Sequence, residues 1–473
     1  WLRNREACKR CKMYTLPKDT VITHQVLNDV IAYNERFKKR FEMLERYYLG
    51  HHDSILERDK NDKLSNNKVV VNHAKYITDT NVGYLLGNPV DYQTSEDYEI
   101  QPLLDAYKKQ TINDLDSEIA KDVSIFGLQY EYVYANENAE PKSCETDNKN
   151  TIIVYDDTVE HNKLFGLIYR PIYKGATFKY WEIIYVDRKI KRIYKSYSKS
   201  LQRVGNDEPH AFGDVPIICY KNNPELLGDY EPVISLIDAY NLLQSDRIND
   251  KEQLVDAILL FYGVDFDEEQ GEALKESRML ANIPADARVE YLTKALQEGD
   301  VDVLRKSIET DIHKISMVPN MSDTNFVGNS SGVAIRYKLL AFEQNIKNKE
   351  RYMEKGLMER FKLYNNFLFT QSKMAEIPVE EVDAVFKRNL PSNDFEISQM
   401  INNLGDYVDK ETLISQLSFI KDASEIVELK AKEDEKKPKA PYNDAFGNNE
   451  IDDANNSVEN TEEIEETEED ITN

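Results

Sequence analysis

The chain has 473 residues, 41% of them hydrophobic, and a formal net charge of −26. That length allows two to four domains and a sizeable core. The acidic balance argues against tight, non-specific binding of nucleic acid, which needs Lys and Arg to displace counterions. Nucleic acid that must pass without sticking is still compatible with it. Twelve acids and no Lys or Arg follow Lys439, and the chain without that tail still carries about −14. The four cysteines, Cys8, Cys11, Cys144 and Cys219, form no disulfide framework and fit a reducing compartment. No apolar run approaches the roughly 18 residues of a membrane span, so no membrane partner is expected. The opening WLRNREACKRCK is basic without an apolar core and does not read as a secretory signal. Residues 1–12, before Met13, read as an upstream extension. The 29 tyrosines against 17 phenylalanines favour half-buried strands and subunit interfaces.

In chain order, Asp19 or Thr20 caps a helix expected to run to Leu49, with Gly50 as its stop. Val69–Leu86 reads as a second helix, ended by Gly87-Asn88-Pro89, and Pro102–Gly127 as a third. From Leu128 to Tyr220 the hydrophobic period switches to two. Thr151–Tyr155, Leu164–Tyr173, Phe178–Val186, Ile190–Tyr197 and Val215–Tyr220 are strand candidates, giving an antiparallel sheet of hairpins. Pro232–Phe261 is a strong helical pattern. A mixed segment follows, with a short acidic helix at Asp267–Arg278 and a strand at Arg288–Leu292. Asp300 caps another helix reaching Met317. After the polar loop Pro319–Gly332, the longest helical pattern runs to Phe369, with Gly356 as its natural kink point. Glu380–Leu390 offers one more strand and Phe395–Lys430 more helices. From Lys432 the composition is that of a disordered acidic tail. The fold class expected is α+β.

Several constellations invite a chemical reading. Gly328-Asn329-Ser330-Ser331-Gly332 matches the G-x-S-x-G elbow of serine hydrolases. A hydrolase needs a strand before that turn and a His after it. Here a helix precedes it, and His313 is the last of the seven histidines. Ser330 or Ser331 fits better as the cap of the long helix. Cys8 and Cys11 form half a zinc or redox motif without a second half. His51-His52-Asp53 lacks a third His at a convincing spacing. No G-x-x-x-x-G-K-[ST] and no G-x-G-x-x-G occurs, so nucleotide hydrolysis is unsupported. No catalytic residue, metal or cofactor is expected. Arg305, Lys306 and Lys314 on the 300–317 helix read by themselves as a solvated face.

The run Gly228-Asp229-Tyr230-Glu231-Pro232-Val233 and its continuation to Asn241 resembles the opening of the stem helix in portal proteins of long-tailed double-stranded DNA bacteriophages, the siphophage-type portal family. Gly213-Asp214-Val215-Pro216 with Lys221-Asn222-Asn223, Tyr47-Tyr48-Leu49-Gly50 and Gly83–Val90 fit the same family. Asn325-Phe326-Val327-Gly328-Asn329 and the residues to Ala334 resemble its tunnel loop. The resemblance spans about Met13 to Lys430, and the stretch 135–150 and the acidic tail match no pattern of the family.

It implies a mainly helical portal fold. An antiparallel β wing would cover 13–231, and stem helices 232–261 and 299–318 would flank a small α/β clip at 262–298. The tunnel loop would be 319–332, the long kinked helix with the wing return 333–392, the helical crown 393–431 and the acidic tail 432–473. It implies a non-enzymatic ring, typically a dodecamer, at one capsid vertex, through which DNA is packaged, retained and ejected. Thr324, Asn325, Phe326, Val327 and Asn329 would meet the DNA in the channel, as would Lys306 and Lys314 on the stem. Asp267, Glu268, Glu269 and Glu272 of the clip would dock the terminase large subunit or the head-completion adaptor. Scaffolding and major capsid proteins would meet the wing. The protein would reside in the virion, and in the host cytoplasm during assembly. The rival readings are the serine hydrolase at Ser330 and an oligomeric scaffold that never contacts DNA.

Overall fold

The computed structural model describes residues 13–59, 65–94, 98–197, 200–255, 258–262, 288–292, 298–321, 332–388, 394–405, 408–414, 417, 426–427, 429–430 and 432. The chain divides into two compact units, residues 1–391 and 392–473. The first unit mixes helices with four small sheets, so the α+β expectation holds.

Strand β1 (Tyr14–Leu16) leads into helix α1 (His24–Tyr48). The helix starts later than Asp19 or Thr20 because those residues lie in a turn, where the Thr20 hydroxyl donates to Pro17 O at 2.6 Å. Thr23 is the cap, its Oγ1 accepting from Val26 N at 3.3 Å. After the single turn α2 (Asp53–Leu56) comes α3 (His73–Leu86), capped by Asn72. It begins four residues later than the sequence pattern indicates, because Val69 and Val71 belong to an extended strap described below. The Pro102–Gly127 pattern divides into α4 (Gln101–Lys108) and α5 (Ile112–Phe126). Thr111 between them takes the left-handed φ of 48°. Gly127 closes α5 at φ 84°, where a Cβ would meet Leu226 O at 2.2 Å.

A six-stranded sheet has the order β1-β5-β6-β7-β8-β9, with β5 (Thr151–Asp156), β6 (Lys163–Lys174), β7 (Thr177–Asp187), β8 (Ile190–Ser196) and β9 (Leu201–Pro209). Its β1–β5 pairing is parallel, against the all-antiparallel expectation. A three-stranded sheet sets β3 (Leu128–Ala135) between β10 (Ile217–Lys221) and β4 (Pro141–Thr146). The first half of α1 packs Leu27 and Val30 on Ile152, Val154, Phe165 and Leu167 of the larger sheet. Its second half gives Phe37, Phe41, Leu44 and Tyr47 to a helical core shared with α3 and α5. Strand β2 (Asp91–Thr94) pairs with β13 (Val382–Val385).

Helix α6 (Ile234–Val255) stops short of the expected Phe261. Ile258-Leu259-Leu260-Phe261-Tyr262 instead forms β11 and pairs antiparallel with β12 (Arg288–Leu292). A continuous apolar run of that length does not distinguish strand from helix by period, and its β-branched and aromatic ends favour the sheet. Helix α7 (Glu298–Ser316) returns alongside α6. Helix α8 (Gly332–Thr370) runs unbroken for 39 residues. At Gly356 the structure shows close approach, since a Cβ there would stand 2.3 Å from ring carbons of Tyr220. The second unit contains α9 (Asp394–Leu404) and α10 (Lys410–Ile414) among its described residues.

Candidate functional site

Helices α6 and α7 form a hairpin, and three groups of contacts among the described residues tie it to the rest of its unit. The first is the turn before α6, where each of four consecutive residues has its own attachment. Gly228 passes so close to α5 that a Cβ would lie 2.2 Å from Ile125 O. Asp229 donates its N–H to Ser124 O at 2.8 Å. Its carboxylate accepts from Ser124 Oγ at 2.5 Å, from Asn222 Nδ2 at 2.7 Å and from Lys349 Nζ on α8. The Tyr230 hydroxyl donates to Leu44 O on α1 at 2.6 Å, and burial pushes its pKa up. Glu231 takes the Arg40 guanidinium as a fork, Nε to Oε1 at 2.8 Å and Nη2 to Oε2 at 2.5 Å. The same Nη2 donates to Leu226 O at 2.7 Å. The Lys349–Asp229 side chains are only 8% and 5% exposed. Burial of that depth requires the pairing seen.

The second place is a polar ladder along α6. Val71 N donates to Asn241 Oδ1 at 2.8 Å, Val69 N to Ser245 Oγ at 3.0 Å and Asn67 N to Asn249 Oδ1 at 2.7 Å. The fit follows from geometry. Four helical residues rise about 6 Å, and two extended residues advance about 6.6 Å. Side chains four apart on α6 therefore match alternate N–H groups of the strap at 67–71. All three helix residues are buried, so the strap satisfies its backbone on side chains in place of a sheet partner. His52 joins the ladder, with Nδ1 accepting from Asn241 Nδ2 at 2.9 Å and Nε2 donating to Tyr47 O at 3.2 Å. Burial lowers its pKa and keeps it in this neutral form. Tyr47 in turn donates to Asp238 of α6 at 3.0 Å, and its pKa is pushed up to about 12 by burial.

The third place is the end of α7. Met317 takes φ 58° and turns the chain. His313 Nδ1 donates to Val318 O at 3.0 Å. The Tyr76 hydroxyl on α3 donates to Pro319 O at 2.8 Å and accepts from Met321 N at 3.1 Å. His73, one turn before Tyr76, meets Tyr240 edge-on at 4.8 Å and His313 at 5.9 Å between ring centres. Burial, with the His313 charge second, lowers its pKa to about 4.

Arg305, Lys306 and Lys314 lie on α7. Lys306 Nζ lies 2.8 Å from Asp302 Oδ2, and Arg305 reaches both Asp302 and Glu309. Lys314 is exposed and makes no ion pair to a described carboxylate. Thr324, Asn325, Phe326, Val327 and Asn329, together with Ser330, lie outside the described residues. So do Asp267, Glu268, Glu269 and Glu272. Among the described residues no three His, Cys, Asp or Glu converge on a metal position, and no helix is long and apolar enough to cross a membrane.

Sequence reasoning missed a further buried centre. Arg360 on α8 is wholly buried, with Nε 2.8 Å from Glu131 Oε1 and Nη1 2.6 Å from Asp116 Oδ1. The Tyr220 hydroxyl donates to Glu131 Oε2 at 2.6 Å. Gly356, one turn earlier, admits the Tyr220 ring. An Arg in the apolar stripe of a long helix was the signal available.

The described elements thus form a helical hairpin pinned to a β-rich body, with the charged groups at its root, Asp229 and Glu231, held by Lys349 and Arg40. The model of the family described as "Phage portal protein, SPP1 Gp6-like" matches residues 27–439, and the chain belongs to that family, a structural and non-enzymatic one. It is 26% identical over 420 residues to the portal protein of Bacillus phage SPP1, covering 81% of this chain and 79% of that protein. It is 22% identical over 227 residues to the portal protein of Clostridium phage phiCD119, covering 46% and 49%. Among solved structures it is similar to a chain in the neck of an empty gene transfer agent particle, with a TM-score of 0.45 and 12% identity. That match covers 76% of this chain and 89% of the other.

Proposed function

We propose that this chain is the subunit of a ring, of about twelve copies, that sits at one capsid vertex and conducts double-stranded DNA during packaging, retention and ejection. The observation that carries the reading is the portal-family match over residues 27–439. Two features of the molecule support it. Helices α6 and α7 leave Leu242, Ile248, Val303, Leu304 and Ile315 exposed in a single subunit, apolar area that ring neighbours would cover. The acidic chain repels phosphate, which suits a bore that must not retain DNA by charge. In this reading α6 and α7 are the stem, residues 262–298 the clip and 319–332 the tunnel loop. Residues 333–392 carry the long helix and wing return, and 393–431 the crown. Lys314 is the better stem contact to the DNA backbone, because the Lys306 ammonium is already held by Asp302. Thr324, Asn325, Phe326, Val327 and Asn329 touch DNA without reading bases. Terminase and the head-completion adaptor dock at the clip through Asp267, Glu268, Glu269 and Glu272. Scaffolding and major capsid proteins meet the wing. The ring is part of the virion and assembles in the host cytoplasm.

The test is packaging in extracts depleted of this chain. Heads should stay empty and fill when the purified chain is restored before head assembly. Filling without it would overturn the reading.

A further inference from the structure

The tip of the β6–β7 hairpin carries aromatic and basic residues that the channel reading does not use. Tyr169, Trp181, Phe178 and Tyr173 form a string leading outward from the core, with ring centres 5.9, 6.1 and 6.0 Å apart. Tyr169 is buried, whereas Phe178 is 42% and Tyr173 57% exposed. On the other face of the hairpin, by strand alternation, a second pair, Tyr180 and Tyr197, stands 5.7 Å apart, with Lys195 Nζ 4.7 Å from the Tyr180 ring centre. Lys38 lies over the Trp181 ring and Lys195 over Tyr180, Lys174 and Lys179 are the exposed chain neighbours of Tyr173 and Phe178, and Arg170 stands on β6. Arg170 is paired with Glu182 and Lys38 with Glu35, but Lys174, Lys179 and Lys195 make no ion pair to a described carboxylate. A chain of net charge −26 therefore presents a locally cationic end studded with exposed rings.

We infer that this tip is a docking surface for an acidic protein segment carrying apolar side chains, supplied by another protein. The charge pattern identifies the occupant. DNA, with a charge every 1.7 Å or so, is long enough to reach past the tip and meet the remainder of a net-negative chain. A short acidic segment feels mainly the charges within a Debye length, about 8 Å at physiological salt, and those are the tip's cations. Exposed Tyr, Phe and Trp are the side chains that anchor protein interfaces. The cations would set orientation and on-rate, while the rings supply the buried area. Cross-strand aromatic pairing also steadies a hairpin, but it requires neither the unpaired lysines nor exposure of the outermost rings. This inference sharpens the wing's part in the portal reading, yet its test does not depend on a DNA channel.

The experiment uses the full chain and a dye-labelled peptide of alternating Glu and Leu, read by fluorescence anisotropy. Poly-glutamate of equal length and a single-stranded oligonucleotide serve as comparisons. The peptide should bind saturably and more tightly than either. Lys174→Glu with Lys179→Glu should weaken it roughly tenfold, the sum of two reversed surface charges, and the loss should shrink at high salt. Tyr173→Ser with Phe178→Ser should weaken it to a similar extent at any salt. All four substitutions are at exposed positions, and circular dichroism checks that the sheet persists. Absence of peptide binding, equal binding of poly-glutamate, tighter binding of the oligonucleotide, or indifference to both variants would each overturn the inference. Peptide binding by a chain that forms no rings would leave this surface standing and remove the portal reading.

Discussion

Lys349→Met isolates the clamp that ties the long helix α8 to the turn before α6. The substitution keeps the length and apolar stem of the side chain and deletes its ammonium. Asp229 would then keep Ser124 and Asn222 as donors but lose its counter-charge while 5% exposed. Removing one partner of a buried pair typically costs about 3–5 kcal/mol, because the remaining charge has no compensation. The two hydrogen bonds left to Asp229 put the expectation at the lower end, about 3 kcal/mol. Asp229→Asn in the same chain removes the orphaned charge and keeps an acceptor for Ser124. The double variant should therefore recover about half or more of that loss. Urea unfolding at fixed protein concentration, followed by tryptophan fluorescence, measures both values, since Trp181 reports on the same unit. A Lys349→Met chain within about 0.5 kcal/mol of the unaltered one would refute the reasoning, as would a double variant no better than the single one. The first result would mean that the clamp is not a buried charge pair in solution.

Two other outcomes follow from the same geometry, and a third from the proposed DNA channel. Asn241→Leu removes the acceptor for Val71 N, and an unpaired buried N–H costs about 1–3 kcal/mol; limited proteolysis should then cut first between 65 and 72, and an unchanged cleavage pattern would count against the ladder. His73 has a pKa of about 4 in the folded chain and about 6.5 unfolded. The unfolded state therefore binds the proton first, so stability is complete above pH 6.5 and falls as the pH drops towards 4, by about 3 kcal/mol from this residue; His73→Leu should flatten that slope, and an unaltered slope would exclude His73 as its source. Shortening 325–329 should leave ring assembly intact and impair DNA packaging or retention; normally filled heads would remove the loop from the mechanism.

The parts legible in sequence were those whose burial is periodic and local. The heptad-like stripe of α8, the core face of α1 and the apolar runs of β5 to β8 all leave such a trace. Strand β9 does not, because an edge strand with two solvated faces shows no alternation. Strand β1 is three residues long and is defined only by its parallel partner. The apolar run 258–262 satisfied a helix pattern until its pairing with 288–292 decided otherwise. The clamps were invisible because their partners are far apart in the chain, Arg40 and Glu231 by 191 residues and Lys349 and Asp229 by 120. Their sequence trace was the Gly-Asp-Tyr-Glu run itself, whose four residues each have a separate attachment. The stripe Asn241, Ser245 and Asn249 was also present at a constant step of four. It reads as a solvated helix face until an extended strap is known to lie along it.

A ring with an open bore should be visible by electron microscopy of the purified chain. The expected image is a closed ring of about twelve subunits around a hole wide enough for a duplex, roughly 20 Å from groove and backbone dimensions. A closed globular assembly, an open-ended filament, or a ring without a bore would contradict it.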